Sequence, residues 1–303
     1  MKTPVILQTD IGTDFDDNWA LTMMLCQPHW DLKMVLVDTG DLRYRASVAA
    51  KVINSFNRSD IEIGLGVGDD SRKWDYTLRG CVSDEDLDRY PGRFSENGVE
   101  RLIEIVLSSK ETVTIISIGP CSGIARALEL VPEIAEKCRF SGMFGSIAFA
   151  HEGKPGAIAE YNVVCDISAA QKVFSAPWNS ALLTPLDSCG RVRLRGGNFQ
   201  KILASEKPYL KLLMQQYAQW HEVIFNRPVA DYSSVLFDTV AVHLAQSTEF
   251  LEMKKMRLAV DNEGFTREDP DGMPFDVAVG WQDLDAFESY LAALLTGEAR
   301  KSQ

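Results

Sequence analysis

Apolar runs that end at a glycine-containing turn and restart as a helical pattern constrain this chain more than any other feature. Residues 4–7 (PVIL), 32–37 (LKMVLV) and 113–118 (VTIISI) are such runs. Near-continuous apolar runs belong to strands covered on both faces, because a half-solvated sheet alternates apolar with polar residues. After the first, Asn18, Trp19, Ala20 and Leu21 open a helix. After the second, Leu42, Ala46, Ala49, Ile53 and Phe56 fall at helical spacing, and after Gly119 and Pro120 another helix starts at Ser122. This alternation predicts an α/β fold, a mostly parallel open sheet with helices on both faces. At 303 residues and 46% hydrophobic content, one large domain over 1–303 is expected.

Further strands are predicted at 61–67, 140–144 and 182–186, and helices around Val99, Leu102, Ile103 and Val106 and over 208–225. Residues 69–93, with Trp74, Tyr76 and Tyr90 but no period, read as a long surface loop. Residues 151–156, rich in Gly and Pro, read as a loop mobile enough to cover a pocket. Residues 233–242 read as helical with Asp238 inside an apolar pattern, where a lone carboxylate is costly without a partner. The tail, 256–281, reads as strands around the turn Asp269, Pro270, Asp271, Gly272, with a closing helix over 284–295.

The first strand-to-helix junction carries the chemistry. Asp10, Asp14, Asp16 and Asp17 lie within eight residues at the C-terminal end of a strand, the edge where open α/β sheets bind ligands. Carboxylates this close repel, and a hard cation relieves them; the plainer alternative is that Asp16 or Asp17 caps the helix and Asp10 is a solvated turn residue. An EF-hand loop is excluded, since counting from Asp10 its sixth position is Phe15 and its twelfth Leu21. A haloacid-dehalogenase-type phosphatase needs an Asp where this chain has Gly12. Asp41 reads as a helix N-cap that, at the end of a parallel strand, also faces the same crevice.

The net charge of −12 argues against a nucleic-acid surface, which is built on clustered Lys and Arg. No segment has the apolar length of a membrane span, and residues 1–4 run into the first strand without a signal-peptide pattern, so no membrane partner and a cytoplasmic place are expected. The six cysteines form no CxxC or CxxxC pair, which leaves them small, reduced, buried hydrophobes.

With Asp10, Gly12, Asp16 and Asp17 first, then Gly40 and Asp41, Ile118, Gly119 and Pro120, Glu160, Tyr161 and Asn162, and Asp238 last, the chain resembles the inosine-uridine nucleoside hydrolase family over nearly its whole length. The resemblance implies a Ca²⁺-dependent N-ribohydrolase, expected to be a homo-oligomer, that cleaves a ribonucleoside or related riboside with activated water. The family signature D-x-D-P-G-x-D-D is matched by a form with two extra residues. On that match Asp10, Asp17, the Ile118 carbonyl and Asp238 hold the metal, and Asp16 is the general base. Asp14 falls in the insertion and shares or exchanges those roles. Glu160 and Asn162 match positions that hold ribose hydroxyls, and Asp41 stands where many members have Asn.

Three residues depart from the pattern: Gln8 replaces an acidic residue, Asp41 an Asn, and Phe237 the His that often precedes the last ligand and protonates the leaving group. Phe237 offers only packing, so substrates that need little acid assistance are expected. Of His29, His151, His221 and His243, His221 beside Trp220 is the first candidate to reach the base, and His151 the second. Competing readings are a nucleoside-binding protein without efficient turnover and a metal-dependent phosphohydrolase. The second is disfavoured by Gly12 and by a basic set limited to Arg43, Arg45 and Lys154.

Overall fold

The computed structural model describes residues 2–69, 71 and 76–298. Within them lie strands β1 (Thr3–Thr9), β2 (Trp30–Val37), β3 (Glu62–Leu65), β4 (Phe94–Ser95), β5 (Val113–Ser117), β6 (Cys138–Gly142), β7 (Ser180–Leu183), β8 (Leu251–Val260), β9 (Thr266–Glu268) and β10 (Met273–Trp281). They form one sheet in the order β4-β3-β2-β1-β5-β6-β7-β10-β8-β9. Neighbours pair parallel from β4 through β10; β8 alone among the described strands runs against the rest, pairing antiparallel with both β10 and β9.

Both faces are apolar, as the uninterrupted runs require. Val5 and Leu7 of β1 and Val35 and Val37 of β2 pack on one side with Trp19, Leu210 and Val240. Ile6, Met34, Leu36 and Ile115 pack on the other with Leu102, Ile124 and Phe174. The result is a single α/β domain with helices on both faces.

Three expectations are corrected. Residues 69–93 are more than a surface loop: they hold the helix Asp84–Asp88 and bury Thr77, Leu78 and Tyr90, while Trp74 lies outside the described residues. The Thr77 hydroxyl donates to the carbonyls of Gly12 and Thr13 (3.2 and 3.1 Å), so this segment packs on the acidic loop. The helix expected over 233–242 begins only at Phe237 and runs to Leu244. Before it, Ser233 N and Leu236 N donate to Leu194 O and Val192 O (2.9 and 3.0 Å), and these partners draw the backbone out of a helical path.

The loop at 151–156 is anchored rather than loose. The buried Asp187 carboxylate accepts the amides of Ile147 (2.9 Å), Ala148 (2.8 Å) and Phe149 (3.2 Å) at its start, and Phe149 bridges to Pro155 across it. Among the described residues no helix is long and apolar enough to cross a membrane. None of the cysteines is in a disulfide; Cys121, Cys138 and Cys189 are buried while Cys26, Cys81 and Cys165 are half-buried, and burial pushes the Cys26 and Cys138 thiols up to about 11 and 12.

Candidate active site

Strand order reverses at β1, which lies between β2 and β5, and a crevice opens above the C-terminal ends of β1 and β5. Asp10 follows β1 and Ile118 follows β5. The two ends are stitched by Gln8, whose amide donates to Pro120 O (3.0 Å) and accepts the Ser117 hydroxyl, while Ile118 N donates to Gln8 O (2.9 Å). A neutral Gln performs this work because it both donates and accepts, which a carboxylate cannot do.

Two helices aim their first turns into the crevice. Asp16 and Asp17 lie in the first turn of the helix Asp16–Cys26, and Asp238 in that of Phe237–Leu244. Neither Asp16 nor Asp17 is the capping residue, which is Phe15. Helix N-termini favour negative charge, which eases the convergence of these carboxylates. Oxygens of Asp16, Asp17 and Asp238 lie within 4.8 Å of one another, and all three side chains are buried.

Burial, then repulsion among the carboxylates themselves, pushes all three well above the ordinary range: Asp14 and Asp10 act on Asp16, Asp10 and Asp16 on Asp17, Asp16 and Asp17 on Asp238. The Thr9 hydroxyl donates to Asp17. Beneath them the fully buried Arg45 donates to Thr39 O and Ile11 O and lies 4.0 Å from Asp10. Arg45 therefore holds the acidic loop and is no phosphate ligand, and Arg43 is paired with Asp88 and Asp84. A set of buried oxygens with excess negative charge fits a hard divalent cation.

The cluster is the floor of a cavity of about 650 Å³. Asp10, Asp14, Asp16, Asp17, Ile118, Glu160, Asn162, Trp220, His221, Phe237 and Asp238 all line it, so the structure brings together every site residue read from the sequence except Asp41. Asp41 accepts Tyr44 N (3.0 Å) as the N-cap of Leu42–Asn54 and pairs with Arg79 (2.7 Å), outside that lining. Asp14 faces open cavity yet lies deep enough for the loss of bulk water to push its carboxyl up, against the Phe15 amide and the charge of His151.

On one wall both Glu160 oxygens accept backbone amides, from Asn162 (2.8 Å) and Gly145 (3.0 Å), and burial pushes this carboxyl to about 7. Asn162 Nδ2 donates to Ile118 O (3.3 Å) and Met143 O (3.0 Å), which fixes the Ile118 carbonyl beside the floor. The opposite end is aromatic. Tyr217 stacks on Trp220 with centroids 5.5 Å apart, and Phe225 and Tyr232 complete it. Sequence reasoning missed Tyr217, Arg193 and Tyr232. Tyr217 is readable as a helix neighbour of Trp220 and His221 on 208–225, whereas the other two come from irregular segments.

Gly119 explains the Gly-Pro after β5. A Cβ there would lie 2.5 Å from Asp10 Oδ1 and 2.6 Å from Asp10 N. Gly119→Ala is expected to displace Asp10 and weaken divalent-cation binding at least about tenfold, read by titration of the chelated protein, with the fold retained by circular dichroism.

The family profile described as inosine-uridine preferring nucleoside hydrolase matches residues 5–284. The chain belongs to this family. Among this chain's relatives is the pyrimidine-specific ribonucleoside hydrolase RihA of Escherichia coli O127:H6, 26% identical over 185 residues. That alignment spans 58% of this chain and 58% of the relative's length. Its fold is shared with the solved inosine-uridine preferring nucleoside hydrolase of Bacillus anthracis, with a TM-score of 0.75, 22% identity and coverage of 98% of this chain and 100% of that one. It is shared equally with a plant nucleoside hydrolase, with a TM-score of 0.79, 20% identity and coverage of 98% and 99%.

Proposed function

We propose that this chain hydrolyses the N-glycosidic bond of a ribonucleoside, releasing ribose and the free base. The observation that carries the reading is the buried carboxylate set at the floor of a cavity whose other end is aromatic. Asp10, Asp17, Asp238 and the Ile118 carbonyl would hold a divalent ion, and calcium suits an all-oxygen set without His or Cys. When bound, that ion neutralises the carboxylates and lowers the pKa of a water in contact with it.

Asp16 takes the proton from the attacking water, with Asp14 beside it in the same cavity. The remaining negative charge stabilises the oxocarbenium-like ribose formed as the bond breaks. Glu160 and Asn162, fixed on the wall by backbone hydrogen bonds, bind ribose hydroxyls. Trp220, Phe237 and His221 enclose the base. An acidic floor repels a phosphate, which disfavours phosphohydrolase chemistry. The reading extends to a homo-oligomer acting in cytoplasmic purine or pyrimidine salvage.

The test is incubation with a panel of ribonucleosides and a nitrophenyl riboside, with Ca²⁺ and with chelator, reading reducing sugar. Ribose release that chelator stops and Ca²⁺ restores is the expected result. Ligand recovered unchanged, or release indifferent to chelator, overturns the proposal.

A further inference from the structure

Resting on the ribohydrolase reading, we propose that His151 is the acid that protonates the leaving base, in place of the His that Phe237 replaces. Both residues line the cavity, and the His151 ring meets the Phe237 ring edge to face with centroids 5.7 Å apart. The imidazole thus sits against the residue that stands where, by the family resemblance, the leaving-group acid is expected. His151 is also within electrostatic reach of Asp14 on the cavity floor.

The loop that carries it is built to hold position. Asp187 clamps the preceding backbone through three amides, and the Ser146 hydroxyl ties the two sides by donating to Phe149 O (2.7 Å) and accepting Ile158 N (3.0 Å). At the tip, Glu152 pairs with Arg193 (2.9 Å) and its amide donates to Gly190 O (3.2 Å). Neighbours fixed on both sides leave the His151 ring facing the cavity from an exposed turn. His221 lacks that freedom. It is 4% exposed, its Nδ1 is bonded to Arg227 O (2.9 Å), and its ring packs on Phe225 at 4.8 Å.

The C1′–N bond breaks, its electron pair goes to the base, and a ring nitrogen of the base takes the proton of the His151 imidazolium. Water forms the new C1′–O bond and gives its proton to Asp16; solvent then returns a proton to His151 and removes one from Asp16, so that one water is consumed per riboside.

A general acid matters in proportion to the basicity of the leaving group. His151→Ala is expected to lower kcat/KM on inosine by about a hundredfold or more and on a nitrophenyl riboside by no more than a few-fold. In the same background Phe237→His is expected to recover at least about tenfold on inosine, which a structural role for His151 would not allow. Equal losses on both substrates, or undiminished inosine cleavage by His151→Ala, overturns the assignment while leaving the hydrolase reading intact. A wild type that cleaves only the nitrophenyl riboside, whose scissile bond is C1′–O, or that cleaves neither substrate, overturns the N-glycosidase reading and this assignment together.

Discussion

Asp16→Asn is expected to slow the chemical step at least about a hundredfold while the divalent ion stays bound, whereas Asp17→Asn and Asp238→Asn lose ion and turnover together. Distance alone does not separate the three, since their oxygens converge within 4.8 Å. Their partners do. Asp17 is fixed by the Thr9 hydroxyl, and Asp10 is braced by Arg45 and the close approach of Gly119, as ligands held in place should be. Asp16 differs in its neighbour: Asp14, which faces open cavity, bears on it second only to burial, so Asp16 is the buried member nearest the side from which water enters. Single-turnover rates and elemental analysis of the same preparations decide the point. A metal-free Asp16→Asn protein makes Asp16 a ligand, and a base phenotype in Asp14→Asn moves the role to the residue contributed by the insertion.

The parallel order was legible because strands buried on both faces leave uninterrupted apolar runs, and their two-sided packing is what the structure holds. Boundaries failed where backbone partners come from elsewhere in the chain. Residues 233–236 have helical spacing, yet the amides of Ser233 and Leu236 go to the carbonyls of Leu194 and Val192 and that of Ser234 to the Tyr217 hydroxyl. Short helices such as Tyr161–Cys165 and Gly196–Leu203 are too brief to display a period and went unread. In the site, the local acidic cluster was plain, and Asp238 joined it only through the resemblance, because convergence of two helix N-termini is a property of packing.

Histidine roles were the least legible. His221 neighbours Trp220 in sequence, but helix packing consumes its ring, while His151 gains significance only from Phe237, 86 positions away. The role of Arg45 was hidden for the same reason: in the sequence it is one of three cations too few for a phosphate cradle, and in the fold it is a buried brace for loop carbonyls.

Chelated protein is expected to lose stability as pH rises from about 4 through neutrality, and a divalent cation to cancel that loss. Asp16, Asp17 and Asp238 are raised well above 3.8 when folded, and burial lifts Asp38 and Glu160 to about 7. In the unfolded chain they ionise near 3.8 for Asp and 4.5 for Glu. Between those limits the folded state binds more protons than the unfolded one, so stability is greatest below the unfolded pKa and falls as pH climbs toward the folded values. Carboxylates moved the other way, such as Asp60 with Arg58 and Glu129 with Lys172, act below this window. A tenfold gain in a carboxylate's proton affinity on folding is worth about 1.4 kcal/mol, so gains of that size shared among the cluster correspond to a fall in Tm of roughly 5 °C or more between pH 5 and pH 8. A cation competes with the protons, and its stabilisation grows with pH over the same range. Thermal unfolding with chelator and with millimolar Ca²⁺ at pH 5, 6, 7 and 8 reads both curves. A chelated Tm that rises across the window, or a Ca²⁺ effect equal at pH 5 and pH 8, would mean that the carboxylates are not the coupled, proton-holding set their burial makes them.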